Sequence, residues 1–323
     1  MADTIKTTPS QLDWPCFLMN YPFTVDNRSS NNTWMKRNKK KYNYDRAFNQ
    51  FMDLYHYVSA RSLVYILPSE GNFQDQPYVA NLGCYLPHIK KENVILLANF
   101  KSPPRIGEDV VGAKFFLSMG YKVFQPPYTW EGEADLKYIR DNLFIGGYNI
   151  RTNIKSHDWM REYFDMDIIS VKMTDEKLYH WDCSFFPLSE DKALVATKVI
   201  SRKDIKAIEK VVDIIEIPKQ YIYSGWTNAI LLNGAILHAP PSGDDSKEAF
   251  KQFISHLGYE PVIIHLEEYE KSGADLSCML MHLNYHNRNN KVFFKKSISS
   301  WWIDRLAKLP IDLSTSIIDE FKN

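Results

Sequence analysis

This sequence predicts a five-bladed α/β propeller, and two observations predict it: helical signals recur at a regular interval, and each is followed by the same succession of three short extended segments. Helical periodicity marks residues 44–57, 107–119, 157–164, 203–210 and 246–257. Each helix runs into an apolar first strand: SLVYIL from Ser62, YKVFQP from Tyr121, MDIISV from Met166, VDIIEI from Val212 and YEPVIIHL from Tyr259. Those strands start at 62, 121, 166, 212 and 259, so successive copies lie 45 to 59 residues apart. A polar turn leads to a second extended segment: PYVANLG from Pro77, TWEGEAD from Thr129, YHWDCSFF from Tyr179, SGWTNAILL from Ser224 and SGADLSCMLM from Ser272. A third strand closes each copy, as VILLANF from Val94, LFIGGY from Leu143, ALVATKV from Ala193, AILHAP from Ala235 and KVFFKK from Lys291. One helix with three short strands cannot bury an apolar face alone, so the copies pack around a common axis. The expected organisation is one domain over residues 1–323, with residues 1–41 a polar, basic and solvated lead-in and a last helix at 301–309 that packs rather than reacts.

Composition narrows the class of function. The 323 residues carry 39 basic and 39 acidic side chains, and 45% are hydrophobic. A chain of this size can bury roughly three quarters of its unfolded surface without staples. The lack of a charge excess argues against the clustered basic face that a nucleic acid or an anionic membrane normally needs, and a small-molecule partner is expected. The longest apolar runs, 94–100 and 229–239, fall short of the roughly 20 residues that span a bilayer. Residues 1–13 lack the basic start and apolar core of an export signal, so export is not expected, and a cytoplasmic location is the expectation. Cys16, Cys84, Cys183 and Cys278 form no C-x-x-C pair, so neither a zinc site nor a disulfide framework is expected, and no cofactor is called for. A homo-oligomer stays open.

Reactive residue types recur at one place in the repeat, near the start of the second extended segment: Asn81, Glu131, His180 with Asp182, and Cys278. Stacking around an axis brings those ends together, and a thiol, an imidazole and two carboxylates in one pocket make a nucleophile, a general acid/base and a cation clamp. Each residue alone has a plainer reading: Cys278 as a small core hydrophobe, His180 as a satisfied core histidine, Asn81 as a turn cap, Glu131 and Asp135 as surface turn carboxylates. Glu133 is assigned to the surface. The HWDC string is not read as a metal site, because alternate residues of a strand point to opposite faces and no second ligand cluster accompanies it.

The blocks WEGEADL at 130–136, GGYNIRTN at 146–153, LYHWDCSFF at 178–186 and KSGADLSCMLMHLN at 271–284 resemble the guanidine-modifying penteins. That superfamily comprises arginine deiminases, dimethylargininases, amidinotransferases and arginine dihydrolases, all five-bladed α/β propellers. The resemblance runs from Phe17 to Asn284 and implies a guanidino substrate such as arginine. It implies Cys278 as nucleophile, His180 as general acid/base, Glu131 as the carboxylate that holds the guanidinium and Asp182 as the aspartate that grips its nitrogens. Arg105 in SPPRIGE and Arg151 in NIRTN match arginines that hold the substrate α-carboxylate in relatives, a task suited to a planar guanidinium.

One departure sets the expected product. Deiminases place an aspartate where this chain has Asn81, whereas the dihydrolases of the family have asparagine. FLMNYPF at 17–23 and NNTWM at 31–35 also resemble a dihydrolase segment, with Asn32 at its substrate-binding asparagine, although Asn20 and Thr33 replace its usual Cys and Pro. Several carboxylates favour a cationic guanidinium and release a neutral ureido product, while an amide both donates and accepts and can retain it for a second attack. The resemblance therefore implies an arginine dihydrolase working through a covalent thiouronium. A deiminase, a dimethylargininase, an amidinotransferase and a non-catalytic binding protein of this fold are the alternatives.

Overall fold

The computed structural model describes residues 7–38, 42–71, 73–241, 243 and 245–288. Its strands are β1 (Cys16–Asn20), β2 (Leu63–Leu67), β3 (Gly83–Tyr85), β4 (Val94–Leu97), β5 (Lys122–Phe124), β6 (Leu136–Arg140), β7 (Leu143–Tyr148), β8 (Asp167–Lys172), β9 (Phe185–Pro187), β10 (Lys192–Val195), β11 (Asp213–Glu216), β12 (Ile230–Leu232), β13 (Ala235–His238), β14 (Glu260–Ile263) and β15 (Met281–His282). The helices are α1 (Thr33–Arg37), α2 (Tyr44–Ser59), α3 (Glu108–Ser118), α4 (Ile154–Phe164), α5 (Arg202–Ile208), α6 (Ser246–His256) and α7 (Glu267–Glu270). The five helices expected from periodicity are α2 to α6, and side-chain caps help set their starts: Asn43 accepts from Arg46 N, Asn153 from Lys155 N and Ser201 from Asp204 N.

Five three-stranded sheets form, ordered β3-β4-β5, β6-β7-β8, β9-β10-β11, β12-β13-β14 and β15-β1-β2. In each, the middle strand is antiparallel to the first and parallel to the third. A parallel pair needs a crossover, which α3, α4, α5 and α6 supply, with α1 and α2 lying between β1 and β2. The sheets pack in a ring. Cys84, Val94 and Leu96 meet Leu136, Phe144 and Ile168 of the next sheet. Ile139, Ile145 and Val171 meet Phe185, Ala193 and Val195, and Phe186 and Leu194 meet Leu231 and Ile236. Leu232 and Leu237 then meet Phe17 and Met19, and Leu18 and Leu67 meet Ile95 and Leu97, which closes the circle. This is the pentein architecture of five pseudo-equivalent units.

Three expectations change. A sheet is not one repeat: it takes the second and third strands of one copy and the first strand of the next, because the helix must cross over between the two parallel strands. The fifth sheet takes its middle strand from β1, inside the supposed lead-in, instead of from KVFFKK at 291, which lies outside the described residues, as do the helix expected at 301–309 and residues 39–41 of the basic run. Every residue of β1 is buried, so this stretch is core and not a solvated arm. Finally, the segments PYVANLG, TWEGEAD, YHWDCSFF and SGADLSCMLM open with 3-10 turns, at Val79–Asn81, Gly132–Ala134, Trp181–Cys183 and Leu276–Met279, and become strand only afterwards.

The ring closure is testable. Leu18 is fully buried between two sheets, whereas Leu63, its neighbour strand's first residue, is 40% exposed. Leu18→Ala is expected to cost about 2–5 kcal/mol in urea unfolding, and Leu63→Ala less than about 1 kcal/mol. Equal costs would show that β1 does not close the ring.

Candidate active site

The turns that precede the first strand of each sheet converge. Gly132 has φ +65°, and a Cβ there would stand 2.5 Å from the carbonyl oxygen of Ala80, so only glycine lets the Glu131 turn lie against the Asn81 turn. Gly225 (φ +69°) does the same in the fourth copy, where a Cβ would stand 2.2 Å from Asp275 Oδ2, and Asn228 N closes the turn on Gly225 O at 2.9 Å.

Glu131 is fully buried and accepts from Arg151 Nη1 at 3.2 Å on both oxygens. Its Oε2 lies 2.8 Å from His180 Nε2. Burial by itself would raise the Glu131 carboxyl, but Arg151, His180 and Arg105 outweigh burial and hold it well below the usual carboxylate range. An ionised carboxylate only accepts, so His180 Nε2 carries the hydrogen of that bond. Asn81 Nδ2 lies 3.4 Å from Nδ1 and 3.3 Å from Nε2 of the same ring. Asp182 Oδ2 accepts from Ser277 Oγ at 2.8 Å and stands 4.0 Å from Cys278 Sγ. Burial first, and then the Asp182 charge, push the Cys278 thiol up to about 12.

Asn81, Arg105, Arg151, His180, Cys278 and Asn32 all line one small cavity, together with Asp75, Tyr78 and Tyr179. It leaves about 20 Å³ for the centres of water-sized molecules, room for about one water. A basin of about 730 Å³ lies outside it, and Asn31, Asn32, Arg151 and Tyr179 line both. These four shared residues form the boundary between basin and cavity.

The sequence-selected residues differ in how free they are. Arg105 forks onto Glu108, with Nη2 at 2.7 Å, and also donates to the carbonyls of Asp75 and Tyr78. Burial disfavours its charge, but Glu108 outweighs burial and keeps it protonated. Arg151 donates to Asn31 O at 2.7 Å besides holding Glu131. Asn32 caps α1 through Met35 N at 2.8 Å and donates to Ser272 O at 2.8 Å, tying that helix to the turn before Cys278.

Two readings are corrected. Glu133 is buried, not on the surface, and its Oε1 receives the backbone N–H of His282 at 3.1 Å and lies 2.9 Å from its Nδ1, clamping β15. Asp135 is likewise buried; it accepts from Thr152 Oγ1 at 2.6 Å and Trp181 N at 3.1 Å, and burial pushes its carboxyl up to about 6. HWDC is a turn, so strand alternation does not separate its side chains. What separates them is that Cys183 lines a different pocket from His180, one it shares with Tyr223 and Asn228.

Sequence reasoning missed Asn228, whose Nδ2 lies 3.6 Å from Cys278 Sγ. The signal was present: Asn228 sits in SGWTNAILL, the second segment of the one copy left without a reactive residue. Asp75, which accepts from Asn31 Nδ2 at 2.6 Å, and Tyr179, which donates to Gly273 O at 2.8 Å, had no comparable marker, since each lies before its repeat's aligned position.

Residues 19–285 match the family described as N,N dimethylarginine dimethylhydrolase, eukaryotic. The chain belongs to this family. It is 26% identical over 272 residues to the bifunctional arginine dihydrolase/ornithine cyclodeaminase AgrE of Nostoc sp., covering 83% of this chain and 37% of AgrE. It is 22% identical over 213 residues to the N(G),N(G)-dimethylarginine dimethylaminohydrolase of Mycobacterium tuberculosis, covering 65% of this chain and 66% of that protein. Among solved structures, the N-terminal domain of ArgZ, a protein of Synechocystis sp., covalently bound to a reaction intermediate superposes with TM-score 0.76 at 23% identity, over 83% of this chain and 97% of that one. The dimethylarginine dimethylhydrolase family thus shares its fold with the ArgZ domain. The chain spans little more than a third of the length of AgrE and of ArgZ, 37% and 35%. Among the described residues no helix is long and apolar enough to cross a membrane.

Proposed function

We propose that this chain is a cysteine-dependent hydrolase that attacks the guanidinium carbon of arginine and takes it through two hydrolytic rounds to ornithine, ammonia and carbon dioxide. The observation that carries this reading is a neutral amide, Asn81, 3.3 Å from His180 Nε2 in the wall of the cavity that also holds Cys278. AgrE and ArgZ, both named arginine dihydrolase/ornithine cyclodeaminase, support it.

Each residue has a role in the proposed cycle. Glu131 and Asp182 accept the guanidinium N–H groups, while Arg105 and Arg151 face the α-carboxylate and Asn32 orders the wall between basin and cavity. Arg151 already sits on Glu131, so the incoming guanidinium replaces one guanidinium by another on the same carboxylate. The Cys278 thiol is held protonated by burial and Asp182, and the bound cation beside it favours the thiolate. The Sγ proton passes to His180 as sulfur bonds to the guanidinium carbon, and the carbon–nitrogen π pair moves onto nitrogen. His180 gives a proton to that nitrogen, the C–N bond breaks and ammonia leaves a thiouronium. Water loses a proton to His180 and attacks the carbon; the C–S bond breaks and citrulline stays bound.

Asn81 decides the fate of that citrulline. A carboxylate at its place would repel the ureido oxygen, whereas an amide N–H donates to it and holds the ureido carbon for a second attack. The second round expels ammonia, water cleaves the S-carbamoyl group, and the carbamate loses carbon dioxide. The placement in the cytoplasm rests on four cysteines that form no disulfide.

Carbon NMR of guanidino-labelled arginine tests the reading. The wild-type protein is expected to move the label into carbonate with ornithine formed, and Asn81→Asp to stop at citrulline. A wild type that stops at citrulline overturns the role given to Asn81. Dimethylarginine run in parallel tests the second reading, which the family description favours: dimethylamine and citrulline formed faster than arginine is consumed would establish it.

A further inference from the structure

Asn228 occupies the one axial position of the five that the catalytic scheme leaves unused, and we propose that it is a catalytic residue whose side-chain amide donates a hydrogen bond to the Cys278 thiolate. The inference rests on the reading of Cys278 as the nucleophile.

The orientation of the amide is fixed by its contacts. Asn228 Oδ1 lies 2.8 Å from the backbone nitrogen of Ser277, a donor that only the carbonyl end of the amide can satisfy. The NH₂ group is therefore turned the other way, and Nδ2 stands 3.6 Å from Cys278 Sγ. Both groups are buried, Asn228 at 2% exposure. One end of the amide is locked to the residue before the nucleophile, and its backbone is locked by the Gly225 turn, so the donor is in place before substrate arrives.

Burial and the surrounding charges disfavour a thiolate. Asp182 and Cys183 face the sulfur from the third turn, Tyr179 and His180 from the segment before it, and Asp275 from the sulfur's own turn. Asp182 and Asp275 both oppose a negative charge on Sγ. Among the described side chains, Asn228 is the one that donates to Sγ, beside a backbone hydrogen bond from Asp275 in the sulfur's own turn; in the other two contacts sulfur donates, to Asp182 and to Asn228 Oδ1. The bound guanidinium supplies a charge from the substrate side. Asn228 acts from behind: it lines the separate pocket shared with Cys183 and Tyr223, and the cavity that holds Cys278 is lined by other residues. Its loss should therefore weaken sulfur ionisation without weakening substrate binding.

The test uses the full chain as wild type, Asn228→Ala and Asn228→Asp. Iodoacetamide, a neutral reagent, is followed from pH 6 to 10, with alkylation at Cys278 resolved from Cys183 by peptide mass spectrometry. In this reaction the Sγ proton passes to solvent, iodide leaves and a thioether forms. Asn228→Ala is expected to slow Cys278 alkylation by about 10- to 100-fold below any plateau, the scale of a hydrogen bond to a charged group, and to lower kcat for arginine by a similar factor with KM within about twofold. Asn228→Asp keeps the acceptor for Ser277 N–H but puts a negative charge where the donor was, and it is expected to be slower still. If the alanine variant does not fold, the aspartate variant decides alone. A wild-type profile matched or exceeded by either folded variant overturns the proposal. A wild type that leaves arginine untouched defeats the substrate reading separately, because the alkylation profile still decides what Asn228 does.

Discussion

Cys278→Ala is expected to lower arginine turnover at least about ten-thousand-fold while leaving arginine affinity within a few-fold. The two halves of that expectation have different causes. Turnover collapses because no other described thiol can substitute: Cys16 and Cys84 are buried in the core between sheets, and Cys183 opens to a different pocket. Affinity survives because the thiol is pushed up to about 12 by burial and by Asp182, so a neutral group and not an anion is being removed near neutral pH. In the proposed cycle the cation is held by Glu131 and Asp182, which the substitution leaves in place. Ammonia release gives the rate and calorimetry the dissociation constant. Turnover above one part in a hundred would remove Cys278 from the mechanism, and a large loss of affinity would mean that the sulfur is ionised before substrate binds.

Glu131→Gln is expected to cost about 3–5 kcal/mol of stability and most of the activity, because it strips a buried charge of its partner. Glu131 is fully buried between Arg151 and His180, and glutamine would leave the Arg151 guanidinium buried without its anionic partner, with Asn31 O and the face of Tyr179 as its other contacts. The pH dependence has a definite sign. The folded-state carboxyl is held below its ordinary 4.5, so the unfolded chain binds that proton more readily and the stabilisation is complete above about pH 5. It is lost as pH falls below 4.5 toward the folded value. Urea unfolding should thus show the widest gap between wild type and variant at neutral pH, narrowing in acid. A gap that widens in acid would mean that Glu131 is not the ionised partner of Arg151.

Much of this site was legible before any coordinates because the repeat writes it out. Asn81, Glu131, His180 and Cys278 stand near the start of the second extended segment in four of the five copies, and a rotational stack brings those starts to one axis. The same logic held for Asn228, but an asparagine after SGWT carries no reactive signature by itself, and it becomes a candidate only once it is seen with its amide on sulfur. Glu133 was misplaced for the opposite reason. Two residues from Glu131 in a polar string it looks like turn decoration, and what buries it is His282, 149 residues away in the chain. Long-range partners of that kind leave no local mark.

The amino-acid sequence by itself determined the five crossover helices, most of the strands, their five-fold recurrence and the residue types gathered at the axis, since helix periodicity, strand apolarity and side-chain chemistry are local properties. Only the tertiary structure decided which strands share a sheet, that β1 completes the fifth one, and which of the matched residues are already committed, as Arg105 is to Glu108. Those outcomes depend on the free energy of closing a ring and of burying polar groups with partners far along the chain. A local pattern states what a segment can do; the partner that satisfies it is fixed when the whole chain packs.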